Sequence, residues 1–502
     1  VKRRSFFKKI GELQNDSGLQ TVGQAVDSSL EKNARWIRSA CALCQDVKSQ
    51  KLQFQTETGS RTALLLYCEG LADIKQIPQT IVPGLEELLS SDQPPDTWNV
   101  APLSIETDLE IVIAKVFQGA LAVFVDGIGK AYLLDISNPP QRTPEEPNTE
   151  VSIRGPRDGF VEELTVNVAL VRKRLKTRSL ACEKFVLGRR SQTRAALLYM
   201  EDIINPQVRD EIRNRLSNIN FDAVYTSSQL EEHLADSSFS IFPLFHYTGR
   251  PDHVVTSLLL GRFAILLDGL PTALIGPANL FLLLKSPEDF HVNFLYVIME
   301  RLVRFLGAVI AVFLPGFYIA ITTYHQDQIP LTLLATFITA RKGVPFPTPV
   351  EAFIMLTLFE ILREAGLRLP GVIGQTLAVV GGLIIGESAI RAGLTSPSML
   401  VMIGTTIISS FTLINQSLLG VVSVLRFGVL ILSSLFGLFG FLMSVFAILT
   451  YLASLRSFGL PYLAPLFPFN WRDFVISLVP LHWLKRPQML NTQDDTRRRG
   501  TR

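Results

Sequence analysis

Apolar positions are spread unevenly along this chain. The last third, from about Phe294 to Leu455, carries three long runs, Gly371–Gly393, Pro397–Ser417 and the almost continuously apolar Leu418–Leu455. Each reaches at least about 20 residues, enough to cross a hydrocarbon core roughly 30 Å thick as a helix. Upstream the period changes. Leu30, Ala34, Ile37 and Cys41 recur on one side of a helix between Ser28 and Asp46. Ala63–Cys68 is a short apolar run followed by a turn, which reads as a buried strand, and Ile81–Leu89 is a helix. Gly119–Ile136 is two apolar runs joined through Asp126-Gly127, a hairpin signal.

After the Pro-rich connector Ser137–Glu150 the pattern begins again. Ala195–Asn205, AALLYMEDIIN, parallels Ala63–Asp73, ALLLYCEGLAD, and Gly261–Ile275 parallels Gly119–Leu133, with Asp268-Gly269 falling where Asp126-Gly127 fell. Such self-similarity argues for two related α/β subdomains followed by an α-helical transmembrane domain. The expected division is a variable segment 1–27, subdomain 1 with its connector at 28–150, subdomain 2 at 151–292, a transmembrane domain at 293–455, and an interfacial and basic tail at 456–502.

Within the helical part the pattern gives four crossings, at about 305–323, 371–393, 398–417 and 427–453. Arg426 then sits near the start of the last stretch, and Leu314-Pro315-Gly316 is a candidate kink in the first. Leu331–Ala340 is too short to cross. Val350–Ala365 mixes Glu351, Glu360, Arg363 and Glu364 with apolar residues and reads as a surface-lying or re-entrant helix. In Gly371–Gly393, Gly374, Ala378, Gly382 and Gly386 recur every four residues and form a small-residue face for close helix packing. The adjacent stripe is Gln375, Val379, Leu383, Glu387 and Arg391. A charge inside a bilayer costs at least about 2.5 kcal/mol unless protein or water shields it. The stripe therefore faces an oligomer interior or a wet lumen, or else Glu387 and Arg391 lie at the interface and snorkel. Thr405, Ser409, Thr412 and Gln416 form a polar face in the next span, either interhelical glue or pore lining.

Composition agrees with a split chain: 502 residues, 48% hydrophobic and 19% charged. The net charge of +3 decides nothing, but its placement does. Lys485, Arg486, Arg497, Arg498, Arg499 and Arg502 follow the last span, which puts the tail on the cytoplasmic side. Arg341, Lys342, Arg363 and Arg368 disagree, since four crossings leave them outside. Val1–Gln14 is basic without an apolar core, so the first part is expected to stay cytosolic. Tyr451, Tyr462, Trp471 and Trp483 read as interfacial anchors. The four cysteines suggest no disulfide framework, and Cys41 and Cys44 lack the further ligands that zinc needs. The six histidines are scattered, and neither HExxH nor GxSxG occurs, so no catalytic, cofactor or metal residue is expected. A secondary transporter requires inverted repeats in the membrane part, and none is visible.

Ser152–Leu175, SIRGPRDGFVEELTVNVALVRKRL, is the most basic stretch of the soluble part. It lacks the phosphate-binding glycine motifs and gives no sign of nucleic-acid binding. It reads as a hinge, or as a basic face toward lipid or a partner, with a helix starting near Asp158. The same stretch resembles the hallmark segment of the A subunits of GerA-type spore germinant receptors, with Arg154, Gly155, Pro156, Gly159 and Phe160 as its motif residues. The resemblance continues through GRFAILLDGLPTALIGPANL, SPEDF at Ser286–Phe290, LPGFYIAITTYHQDQIP and SLRSFGLPYLAPLFP, and covers nearly the whole chain from about Ser28. It implies a non-enzymatic, nutrient-receptor subunit of the endospore inner membrane. Implied partners are a transporter-like B subunit, a lipoprotein C subunit, further copies of the chain and membrane lipid, with no nucleic acid and no cofactor. The implied activity is an oligomeric, nutrient-gated ion channel. A SpoVAF-like spore membrane protein or a non-conducting scaffold is the alternative.

Overall fold

The computed structural model describes residues 24–56, 59–90, 103–140, 155–237, 239–368, 382, 385–478 and 490. The first unit contains α1 (Leu30–Ala40), β1 (Val47–Thr56), β2 (Gly59–Cys68), α2 (Val82–Ser90), β3 (Leu103–Glu106), α3 (Leu109–Val116), β4 (Ala120–Val125) and β5 (Ala131–Asp135). The second contains α4 (Leu164–Arg172), β6 (Leu180–Leu187), β7 (Thr193–Met200), α5 (Pro206–Ser217), α6 (Ser227–Leu234), β8 (His246–Thr248), α7 (Pro251–Leu259), β9 (Phe263–Leu267) and β10 (Ala273–Gly276). Both sheets are antiparallel with corresponding strand orders, β1-β2-β4-β5-β3 and β6-β7-β9-β10-β8.

The unbroken apolar runs have a simple cause. In β2, Leu64, Leu66 and Cys68 pack toward α1 and α3, while Ala63 and Leu65 pack toward α2 on the other face. A strand covered on both faces loses its polar alternation. The two Asp-Gly turns do more than reverse the chain. Gly127 and Gly269 adopt φ of +86° and +84°, which glycine tolerates without a Cβ penalty. Asp126 Oδ1 accepts from the Leu30 amide and Asp268 Oδ1 from the Leu164 amide, both at 3.1 Å. Each aspartate thus satisfies an orphan donor at the first helix of its own unit. Asn33 and Asn167 repeat a second device, each bonding the backbone six residues before it through both ends of its amide.

The basic stretch is not a free hinge. Its helix starts at Leu164 rather than near Asp158, because residues 155–163 first run across subdomain 2, with the Phe160 amide on the Gly249 carbonyl at 2.9 Å. Arg172 at the end of α4 is buried and grips Asp46 of subdomain 1 through Nε at 2.8 Å and Nη2 at 2.9 Å. It also donates to the Thr177 and Leu180 carbonyls and lies 4.5 Å from the Phe117 ring centroid. Beside it the backbones of the two units join, with Cys182 N on Leu43 O at 2.7 Å and Gln45 N on Cys182 O at 3.0 Å. Cys41 and Cys44 lie at this seam as free thiols, and burial pushes the Cys41 thiol up to about 12. Among the described residues no group of His, Cys, Asp or Glu is placed to hold a metal ion.

The helical region comprises α8 (Phe294–Ile319), α9 (Leu331–Ala340), α10 (Thr348–Arg368), a helical stretch at 385–391, α11 (Pro397–Phe411) and α12 (Gln416–Ser454). Among the described residues two helices are long and apolar enough to cross a membrane, Phe294–Tyr324 and Gln416–Ser454. The first runs unbroken past Pro315 and ends in a wider turn at Ala320–Tyr324. The second is broken at Gly437, with φ 60° and ψ −136°. A Cβ on Gly437 would meet the Tyr324 ring, at the far end of α8. Both ends of α12 meet subdomain 2: Asn415 Nδ2 lies 2.9 Å from His246 Nδ1, and Tyr451 Oη accepts from the Ile241 amide at 3.1 Å. The helix therefore doubles back as a hairpin of two limbs.

Two elements pack more closely than their patterns imply. One side of α10 is buried in the bundle, while its Phe353, Ile354 and Ile361 are exposed. Its Glu351, Ala352, Met355 and Leu356 are buried among α8, α11 and α12, because its polar residues find partners inside the bundle. Glu351 at its start meets Ser396 at the start of α11, and Arg363 near its end reaches Ser423 of α12, so α10 runs lengthwise through the bundle. Tyr462 is no interfacial anchor. The segment after α12 folds back onto subdomain 2 and buries Tyr462 completely, 5.9 Å from Phe242 between ring centroids.

Candidate functional site

Two sets of polar side chains sit where an apolar chain should have none. The first joins the soluble units to the helices. Ser286–Phe290 is a single turn capped by the Ser286 hydroxyl. Its two consecutive carboxylates point to different partners. Glu288 takes buried Arg250 of subdomain 2 at 2.5 Å, and Arg250 also holds Asp252 at 2.7 Å. Asp289 takes both Arg301 and Arg304 of α8, each at 2.8 Å. Charge-assisted pairs on buried arginines hold position well, so the turn is a rigid staple between sheet and helix. A second contact lies beside it. Asn415 caps α12 through Oδ1 on the Leu418 amide and donates through Nδ2 to His246 Nδ1. That places the Nε2 proton on a neutral His246. Burial holds the pKa of His246 well below its ordinary value and brings that of His253, 4.9 Å away between ring centroids, to about 3.

The second set lies within the helices. Proline has no N–H, so Pro315 leaves the carbonyl of residue 311 without its helical donor. Arg426 Nε donates to that Ala311 carbonyl at 2.8 Å. Arg426 is 2% exposed and ten residues inside α12, not near the edge of a span as the sequence suggested. The missed signal is the proline, whose freed carbonyl needs a donor from another helix. Arg363 pairs with Glu360 at 2.6 Å and donates to Ser423 at 3.0 Å on the same limb of α12. Farther along, buried Glu351 accepts from Thr395 Oγ1, Ser396 N and Ser396 Oγ at 3.0, 2.6 and 2.8 Å. It thus fixes the start of α11 in place.

Gln375 and Val379 of the stripe, with Gly374 and Ala378 of the small-residue face, lie outside the described residues, and so do Leu383 and Arg154. Gly382 and Gly386 are described. A Cβ on Gly382 would lie 3.9 Å from Phe359 of α10, and one on Gly386 would lie 3.2 Å from Leu400 of α11. Glu387 and Arg391 pair at 2.6 Å, with side chains 59% and 79% exposed, at the end of the bundle near Gly343. Small residues therefore face inward, and the charges face away from the chain's own core. Of the motif residues, Gly155 lies against Arg250, where a Cβ would collide with the guanidinium and sit 3.0 Å from His291. Pro156 follows, half-buried, and Gly159 and Phe160 are buried, Phe160 within the core over α4 and α7. The motif is a structural lead-in to the staple. Thr405 is exposed and bonds its own helix at the Val401 carbonyl, whereas Ser409 and Thr412 lie against Gly307 of α8.

A family model described as Bacillus/Clostridium GerA spore germination protein matches residues 35–489. The chain is 44% identical to Spore germination protein XA of Bacillus anthracis over 94% of this chain and 98% of that protein. It is 35% identical to the Uncharacterized membrane protein YfkQ of Bacillus subtilis (strain 168), covering 94% and 92% of the two chains. It is 33% identical to Spore germination protein KA of the same strain, covering 94% and 88%. A solved structure, the N-terminal domain of the A subunit of the Bacillus megaterium spore germinant receptor GerK3, aligns with a TM-score of 0.39 at 26% identity, over 51% of this chain and 97% of that one.

Proposed function

Because this chain belongs to the GerA family of spore germination proteins, we propose that it is the A subunit of a nutrient germinant receptor. In this reading it lies in the inner membrane of the endospore, with its α/β units and basic tail in the spore core. It assembles with a transporter-like B subunit, a lipoprotein C subunit and further copies of itself. Nutrient capture by the complex opens an ion path between the copies, lined by the stripe Gln375, Val379, Leu383, Glu387 and Arg391. The two α/β units are copies of one ancestral unit, as their matching strand orders and Asp-Gly caps suggest.

The bundle geometry supports six crossings rather than four. α8 rises from the α/β units. α10 and α11 return, the two limbs of α12 rise and return, and the run 371–393, expected from the sequence to cross, completes the six although most of it lies outside the described residues. Tyr318 of α8 meets Ser398 at one end, and Gly307 meets Thr412 at the other. This order brings Arg363 and Arg368 toward the cytosolic side and removes half of the positive-inside conflict. The observation that supports the ion path is the Glu387–Arg391 pair, exposed while Gly386 and Ala389 of the same stretch face inward. Such a pair needs a neighbouring copy or water to shield it.

The test is nutrient-dependent ion flux in liposomes holding the purified subunit with its B and C partners. Glu387→Gln should cut cation flux, and Val379→Ala or Leu383→Ala should widen the path and raise basal flux. Nutrient-evoked germination in spores without any flux in liposomes, and no effect of these variants, would instead mark a non-conducting scaffold.

A further inference from the structure

A cavity of about 190 Å³ lies at the foot of α8, walled chiefly by apolar side chains, among them Leu284, Leu302, Phe305 and Phe474. Two cations also line it, Lys285 and Arg301. They are not equivalent. Arg301 is matched by Asp289 and by the Ser477 carbonyl, both at 2.8 Å. Asp289 is already shared with Arg304, and among the described residues the Lys285 ammonium has no hydrogen-bond or ion-pair partner. Burial, with the charges of Arg301 and Arg262 behind it, brings its pKa down to about 7. Lys285 is half-buried, so its unmatched ammonium stays open to an anion that enters beside the apolar walls.

Position narrows the anion. Leu302 and Phe305 begin the apolar length of α8. Phe474 makes tilted ring contacts with Phe469 and Trp471, which are 61% and 67% exposed, in the manner of an aromatic belt at headgroup depth. A small soluble anion would satisfy Lys285 and leave the walls bare. An anionic amphiphile satisfies both. We propose that this cavity binds an anionic phospholipid of the cytosolic leaflet, with its phosphate on Lys285 and one acyl chain against Leu302, Phe305 and Phe474. The inference rests on the reading that the helices lie in a membrane.

The experiment is a lipid titration of the full-length, detergent-solubilised chain by native mass spectrometry, with dioleoyl phosphatidylglycerol and dioleoyl phosphatidylcholine as probes. One phosphatidylglycerol should bind about fivefold more tightly than phosphatidylcholine, the share of a single basic residue. Lys285→Gln should remove that preference, Lys285→Arg should keep it, and Leu302→Trp should block both lipids. The preference should fall as pH rises from about 6 to about 9, where the ammonium loses its proton. Equal binding of the two lipids, or a preference untouched by Lys285→Gln in a variant that melts normally, overturns the site. Competition by inorganic phosphate as strong as by the lipid overturns the acyl-chain part. Release of the protein from membranes by alkaline wash without detergent would defeat the membrane reading alone, since the titration is done on solubilised protein.

Discussion

At the scale of single residues, the molecule depends on a few buried charges with complete sets of partners. Arg172 and Asp46 are 0% and 3% exposed in their side chains. Removing one leaves the other buried and unmatched. Arg172→Met should therefore destabilise the joined α/β units by about 3–5 kcal/mol, and adding Asp46→Leu should restore much of it. Melting curves of both variants check this. His246 and His253 are buried in their neutral forms. Below the ordinary histidine pKa the unfolded chain takes up protons that the folded chain refuses. Stability must then fall as pH drops below about 6.5, by up to about 1.4 kcal/mol per unit for each histidine. His253→Leu should roughly halve that acid slope in denaturant titrations at several pH values. Arg426 and Pro315 should be coupled. Arg426→Gln leaves the Ala311 carbonyl short of its donor, while Pro315→Ala gives that carbonyl a helical N–H. The double variant should melt higher than the sum of the singles allows, by roughly 0.5–3 kcal/mol. Along the sequence the histidines are merely scattered. Only the fold brings His246 to Asn415, across 169 positions.

At the scale of elements, local pattern was informative where one element accounts for its own signal. Leu30 and Ile37 mark α1, and the Asp-Gly pairs mark the turns at the ends of β4 and β9. It misled where an element borrows partners. α10 looks amphipathic because Glu351, Glu360 and Arg363 are polar, yet Glu351 is met by Thr395 and Ser396 just before α11, and Arg363 pairs with Glu360 and reaches Ser423 of α12. The run Leu418–Leu455 left open whether one helix or two was present, and Gly437 decides it. A side chain there would meet both a positive φ and the Tyr324 ring at 2.9 Å. Gly437→Ala should cost about 1–3 kcal/mol and loosen the hairpin, seen as a lower melting temperature and faster proteolysis.

At the scale of the whole molecule, the staple at Glu288 and Asp289 and the cap at Asn415 make the α/β units and the helices one mechanical body. A movement in subdomain 2 is passed to α8 and α12 through these contacts, as the proposed receptor role requires. The proposed six crossings would place residues 15 and 493 on one side. Single cysteines at Asn15 and Gln493 should be labelled by an impermeant reagent from the same face, and one at Gln328 from the opposite face. Labelling of Gln328 together with Asn15 would reject that order of crossings.

The sequence alone determined the division into α/β units and an apolar helical region, because the hydrophobic period is a local property that each segment carries by itself. It also determined the family, through motifs in a fixed order. Tertiary structure alone decided which charges are matched, where Arg426 lies, and that α12 turns back on itself. Those outcomes depend on groups more than a hundred positions apart meeting in space, as Arg426 meets Ala311 across 115, and no local pattern encodes a partner on another helix.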